Sequence, residues 1–144
     1  MDGFMSILIF FKILFFADTV LLTPNPIDII NEYEIKLEKP ISAITSGAYI
    51  MIDVSNMTSK LENIYPDIYN VLPPNSIMVY LYTTQGDRVA LHYIKGFSGS
   101  GTNNWIHLYA KKDMIRTNVY YNKVLINSKI PLNNIEVSWR NCTM

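Results

Sequence analysis

The sequence predicts an all-β fold: an antiparallel β-sandwich of about seven strands, Ig-like or jelly-roll in style, behind an N-terminal hydrophobic leader segment. Three observations predict it. Short stretches of alternating polar and apolar residues recur at close spacing, with turn residues between them. The composition is rich in tyrosine, with 10 among 144 residues, and in isoleucine and asparagine, a mix that suits strands and turns better than helices. No apolar helical repeat is long enough to build a helical core. A small barrel is the alternative arrangement of the same strands.

The leader comes first. From Phe4 to Ala17 only Ser6 and Lys12 interrupt the apolar residues, and the run continues to Leu22. An apolar core of roughly 7–15 residues followed by a small residue is the pattern of an export signal. Lys12 supplies the basic element if translation starts at Met5, and Ala17 is the best small residue for cleavage, although Phe15 is bulky for its position. As a membrane span the run is marginal, because a charge such as Lys12 or Asp18 near the bilayer centre costs roughly 2.5–3.5 kcal/mol. A third possibility is that residues 4–22 belong to the folded body. The expected organisation is a signal peptide or membrane anchor over 1–23 and a β-sandwich domain over 24–144. The expected location is periplasmic or extracellular, with the chain secreted or held by an uncleaved N-terminal segment.

Thr23-Pro24-Asn25-Pro26 reads as a linker, since two prolines bar a helix and favour extended neighbours. Glu32 to Glu38 alternates without a fault, placing Tyr33, Ile35 and Leu37 on one face of a half-buried strand that Pro40 should end. Ala48 to Val54 is nearly continuous apolar sequence, as a central strand requires. Met57, Leu61, Ile64, Ile68 and Leu72 recur at helical spacing, so a short helical turn is expected near 58–64, limited by Pro66, Pro73 and Pro74. Ile77 to Tyr82, a turn at Gln85-Gly86-Asp87 and a return over Val89 to Ile94 form a hairpin. Gly96 to Asn104, with three glycines and two serines, is the most flexible loop. Trp105 to Ala110 and Val119 to Ile126 are strands, Ile130-Pro131-Leu132 crosses over, and Ile135-Val137-Trp139 forms the last strand.

Charge and cysteine content narrow the function. Twelve basic residues balance 12 acidic ones, which argues against nucleic acid and against polybasic membrane docking. Membrane contact is expected only through the N-terminal segment. Cys142 is the single cysteine, so no intramolecular disulfide forms, and it reads as a half-buried tail residue. Asn56-Met57-Thr58 and Asn141-Cys142-Thr143 match the glycosylation acceptor pattern, which short Asn-rich sequences meet by chance.

The search for chemistry finds no catalytic residues, no metal site and no cofactor. Two histidines, His92 and His107, fall short of the three or four ligands of a zinc site. On strands joined by the 96–104 loop they are expected at the same level. Ser98 and Ser100 lie in glycine-rich sequence whose spacing departs from a nucleophile elbow and leads into a strand rather than a helix. Glu32, Glu34 and Glu38 project from one solvated face. The aromatic residues remain. Core packing is the ordinary reading for Trp139 and for Trp105, yet Trp105 leaves the glycine loop where a ring can also serve a binding face. The candidate binding residues are therefore Tyr93, Phe97, Ser98, Asn103, Asn104, Trp105 and Tyr109.

The expected function is that of a secreted or periplasmic non-enzymatic domain that binds a protein partner, as an inhibitor, an immunity-type protein or an envelope accessory component. The alternative is a carbohydrate-binding module using exposed aromatics. An unrecognised hydrolase comes third. A contiguous apolar patch on a sheet face favours the first, coplanar exposed rings the second and a deep polar pocket the third.

Overall fold

A computed structural model describes residues 18–57, 75–93, 98–100, 103–111 and 115–141. The expected helical turn at 58–64, the apolar run before Asp18, Phe97 and Cys142 lie outside the described residues. Eight strands are present: β1 (Asp18–Leu21), β2 (Ile27–Ser42), β3 (Tyr49–Asp53), β4 (Ile77–Thr83), β5 (Arg88–Tyr93), β6 (Ser98–Ser100), β7 (Asn103–Ala110) and β8 (Tyr120–Asn141). Among the described residues there is no helix, and every strand pairing is antiparallel.

The all-β expectation holds, but the architecture is a closed five-stranded barrel and not a two-sheet sandwich. The reason is β8. This strand of 22 residues pairs with β4 over Tyr121–Ser128 and with β3 over Glu136–Arg140. With β3–β7, β7–β5 and β5–β4 also paired, the sheet returns to its starting strand. β2 and then β1 run along the other edge of β8. Closure removes most of the free backbone edge that an open sheet leaves.

Two proline-bearing bulges let β2 and β8 bend as a ribbon around the barrel. The sequence expectation put a strand end at Pro40 and a crossover at Ile130-Pro131-Leu132; both segments instead lie inside continuous strands. Lys36 pairs with Lys123 but Ile41 with Tyr121, so β2 carries extra residues around Pro40. Ile29 pairs with Leu132 but Asn31 with Ser128, so β8 carries extra residues around Pro131. A bulged residue has no ladder partner, and a proline that cannot donate is tolerated there. Asn31 follows the Pro131 shift, and Asn134 lies in a further one, where Ile27 pairs with Ile135 but Ile29 with Leu132; the two adopt φ of 70° and 52°, a region asparagine enters more readily than most residues. The Asn134 bulge is pinned at both ends: its N–H donates to Asp28 Oδ1 at 2.8 Å and its side-chain amide donates to the Asn56 carbonyl at 2.9 Å.

The core follows the strand period. Ile50 and Ile52 of β3, Val79 and Leu81 of β4, Leu91 of β5, Ile106 and Leu108 of β7, and Val124, Ile126, Val137 and Trp139 of β8 are buried inside the barrel. In β2 the alternation expected over 33–37 is observed, with Ile35 buried and Tyr33 and Leu37 packed against the core. The β4–β5 hairpin forms where expected. Thr83 organises its turn, accepting at Oγ1 from the N–H groups of Gln85 and Asp87, and Gly86 takes φ of 96°.

The pairing of β1 carries the folded body upstream of Pro24. Leu22 and Thr23 are buried, the Leu22 N–H donates to the Val137 carbonyl at 2.8 Å, and the Thr23 hydroxyl accepts from the Val137 N–H at 3.0 Å. No described helix is long and apolar enough to cross a membrane.

Candidate binding face on β3, β7 and β8

The residues that point away from the core on three neighbouring strands build one surface. In β7, Ile106 and Leu108 face inward, so Trp105, His107 and Tyr109 face outward and are half-buried. In β3 the residues pointing away from the barrel interior are Tyr49, Met51 and Asp53, and in β8 they are Glu136, Ser138 and Arg140; of these Met51 and Ser138, in the middle of the face, are buried and the others half-buried. The registers align them in three rows. Tyr109, Tyr49 and Arg140 form the first, His107, Met51 and Ser138 the second, and Trp105, Asp53 and Glu136 the third.

An aromatic cluster holds the first two rows together. The Tyr49 ring lies 4.8 Å from that of Tyr109, tilted 32°, and 5.0 Å from that of His107, tilted 45°. His107 meets Tyr109 edge-on at 6.3 Å and 76°. Such contacts add roughly 0.5–1.5 kcal/mol per pair beyond the area they bury. Burial first, and the nearby Arg140 charge second, hold His107 below its ordinary range, so the ring is neutral at pH 7. Arg140 Nε is fully buried and nothing among the described residues accepts from it.

Around β2, β4 and β5 the charges lie on and beside tyrosine rings. Lys123 pairs with Glu34 at 3.3 Å and lies 4.1 Å over the Tyr82 ring, while Arg88 stacks 4.6 Å over Tyr80. β2, which pairs only with β8, presents Glu32, Glu34, Lys36, Glu38 and Lys39 along its length. Charges on an edge strand discourage further strand addition.

Of the residues singled out from the sequence, the structure brings Trp105 and Tyr109 onto one face. Tyr93 pairs with Leu108, one register position away from Tyr109. Ser98, Asn104 and Asn103 belong to a short hairpin: Ser98 pairs with Trp105, Gly99 with Asn104 and Ser100 with Asn103. That pairing replaces the expected open loop over the described part of 96–104. His92 pairs with Tyr109, two residues out of the expected register, so the two histidines are on different levels. Tyr49, His107 and Arg140 complete the surface. Alternation along β7 pointed at His107, whereas Tyr49 and Arg140 arrive only through the pairing of distant strands.

No described group of three acidic, histidine or cysteine side chains is placed to hold a metal ion. A cleft of about 480 Å³ lies at the end of the barrel between the β4–β5 turn and the segment before β8. Its wall includes Thr83, Asp87, Arg116 and Tyr121. It is open to solvent. Burial raises the Tyr121 phenol above its usual range, opposed by a backbone hydrogen bond and the positive charge of Arg116. Of the two acceptor-pattern asparagines, Asn141 is occupied: its side chain accepts from the Ile44 N–H and donates to the Ser42 carbonyl.

Comparison with known proteins gives no relative: no family model, no curated protein and no solved structure matches this chain.

Proposed function

We propose that this chain is an exported, non-enzymatic domain that binds a protein partner through the outer face of β3, β7 and β8. The observation that carries the reading is the clustering of Tyr49, His107 and Tyr109, with Trp105 further along the same face of β7, beside an arginine whose Nε has no acceptor among the described residues. Tyrosine, tryptophan and arginine are the residues that dominate protein interfaces, because they offer large area at low entropic cost and a polar handle. The tilt of the rings favours a protein over a sugar. A saccharide stacks on a flat, coplanar platform, and these rings lean on one another instead. Export is supported by the apolar run of the leader.

Replacing Tyr49 and Tyr109 together by alanine tests the face. The double variant is expected to keep its barrel, since both rings lie outside the core, and to lose at least about tenfold in affinity for whatever the wild type captures from its native envelope. The control is Ile30→Ala, at a residue 74% exposed on β2, which is expected to bind as the wild type does. Equal capture by the double variant rejects this face as the binding surface.

A further inference from the structure

We infer that a cleft between β2, β8 and the β4–β5 turn binds the phosphate group of a small phosphate monoester. The site is separate from the face on β3, β7 and β8 and does not depend on the role proposed there. The cleft, about 390 Å³, is walled by Lys36, Tyr82, Thr83, Thr84, Asn122 and Lys123 among others. Two lysines line it, and among the described residues no carboxylate does.

The strand registers explain why positive charge collects there. Lys36 on β2 pairs with Lys123 on β8, Lys123 with Tyr82 on β4, and Tyr82 with Arg88 on β5. Paired residues point to the same side of a sheet, so one row across four strands holds three cations and a tyrosine. Like charges directly opposite each other, as Lys36 and Lys123 are, destabilise the pairing. The chain relieves this only in part. Lys123 takes Glu34 as its partner and lies over the Tyr82 ring, and Arg88 leans over Tyr80. Lys36 is exposed and, although Glu34 and Glu38 flank it along β2, has no ion-pair partner among the described residues.

The cleft also supplies hydrogen-bond donors. Tyr82 pairs with Lys123 but Thr83 with Tyr121, and on the other side Lys36 pairs with Lys123 but Ile41 with Tyr121. Asn122 is therefore skipped by both ladders, and its exposed side chain is left to serve the cleft. Thr83 Oγ1 already accepts from the N–H groups of Gln85 and Asp87, so what its hydroxyl has left to offer is a proton. A phosphate monoester carries a charge of about −1.5 to −2 near pH 7 and three acceptor oxygens. It matches two ammonium groups backed by hydroxyl and amide donors, and lysine serves phosphate as a compact point charge. A sulfate ester or a carboxylate brings a single negative charge and leaves one lysine uncompensated. In size the cleft lies within the range of small-molecule sites.

Amide chemical shifts of the full chain, followed during addition of methyl phosphate at constant ionic strength, read the binding. Saturable shifts are expected at Lys36, Thr84, Asn122 and Lys123, with a Kd of roughly a millimolar for so small a probe. Methyl sulfate is expected to bind at least about fivefold more weakly, because its charge is smaller. Lys36→Gln and Lys123→Gln are each expected to weaken methyl phosphate by at least about fivefold. Glu34→Gln is expected to tighten it about twofold or more, since it releases Lys123 from its ion pair. Lys129→Gln, next to Ser128 at the opposite end of the β4–β8 pairing, is expected to bind as the wild type does. Should Lys123→Gln not fold, Lys36→Gln, at an exposed position, and Glu34→Gln decide the matter. Cleft shifts that are absent or never saturate, equal binding of the two esters, or an unchanged affinity in folded Lys36→Gln overturns the inference.

Discussion

Trp139→Ala is expected to lower stability by about 3–5 kcal/mol, the cost of emptying a large buried aromatic site. Trp139 is fully buried in the barrel, its ring 6.4 Å from that of Tyr121, and its indole N–H donates to the Ser42 carbonyl at 3.1 Å. It therefore ties β8 to the end of β2 as well as filling space. Domains of this size are stable by roughly 5–15 kcal/mol, so the variant should melt far below the wild type. Trp139→Phe separates the two contributions. It retains most of the apolar volume and removes the indole donor. Ser42 still accepts from the Asn141 side-chain amide at 3.0 Å, so its carbonyl is not stranded. The expected cost is then about 1–2 kcal/mol, a lost hydrogen bond plus a small cavity. Urea unfolding of both variants measures the difference. Equal, small losses in the two would place Trp139 outside the core.

A chain beginning at Pro24 is expected to be less stable than one beginning at Asp18 by about 3 kcal/mol or more. The shorter chain lacks the four β1 residues paired with β8, the buried Leu22 side chain and the Thr23 hydroxyl. Burying a leucine contributes roughly 1.5–3 kcal/mol. Val137 is fully buried and directs both its N–H and its carbonyl to Thr23 and Leu22, so each loses a partner, at about 1–3 kcal/mol for any group that water cannot reach. Comparing melting midpoints of the two chains checks this. Identical midpoints would mean that β1 adds nothing to the barrel and that the body starts at the prolines.

The parts of the fold legible in the sequence are those set by local period. The unbroken alternation over 32–38, the Gln85-Gly86-Asp87 turn and the apolar run at 48–54 each specify a strand or turn without reference to the rest of the chain. What stayed hidden is non-local or irregular. A bulge shifts the period by one or more residues, and Pro40 and Pro131 inside bulges look the same as prolines that end strands. β8 therefore reads as two strands, and a chain with the wrong strand count reads as a sandwich. Barrel closure depends on β8 reaching both β3 and β4, which no window of sequence reveals. β1 was masked by the apolar run that precedes it, since Thr19 to Leu22 continues the leader in composition.

The candidate face divides in the same way. Trp105 and Tyr109 are two strand periods apart, so their sharing a face follows from alternation alone. Tyr49 joins them through the β3–β7 register and Arg140 through β3–β8, across more than 90 residues of sequence. The Gly/Ser segment that drew attention to this region forms a hairpin beside Trp105, at the rim of the face and not at its centre.

The central claim, that this outer face is where the protein meets its partner, is tested most directly by placing a photo-crosslinking amino acid at position 109 and, separately, at position 30 in the native host. The Tyr109 position is expected to give a discrete adduct on illumination, whose mass identifies either a second copy or another protein, while Ile30 on β2 gives none. Adducts at position 30 with none at position 109 would contradict the account.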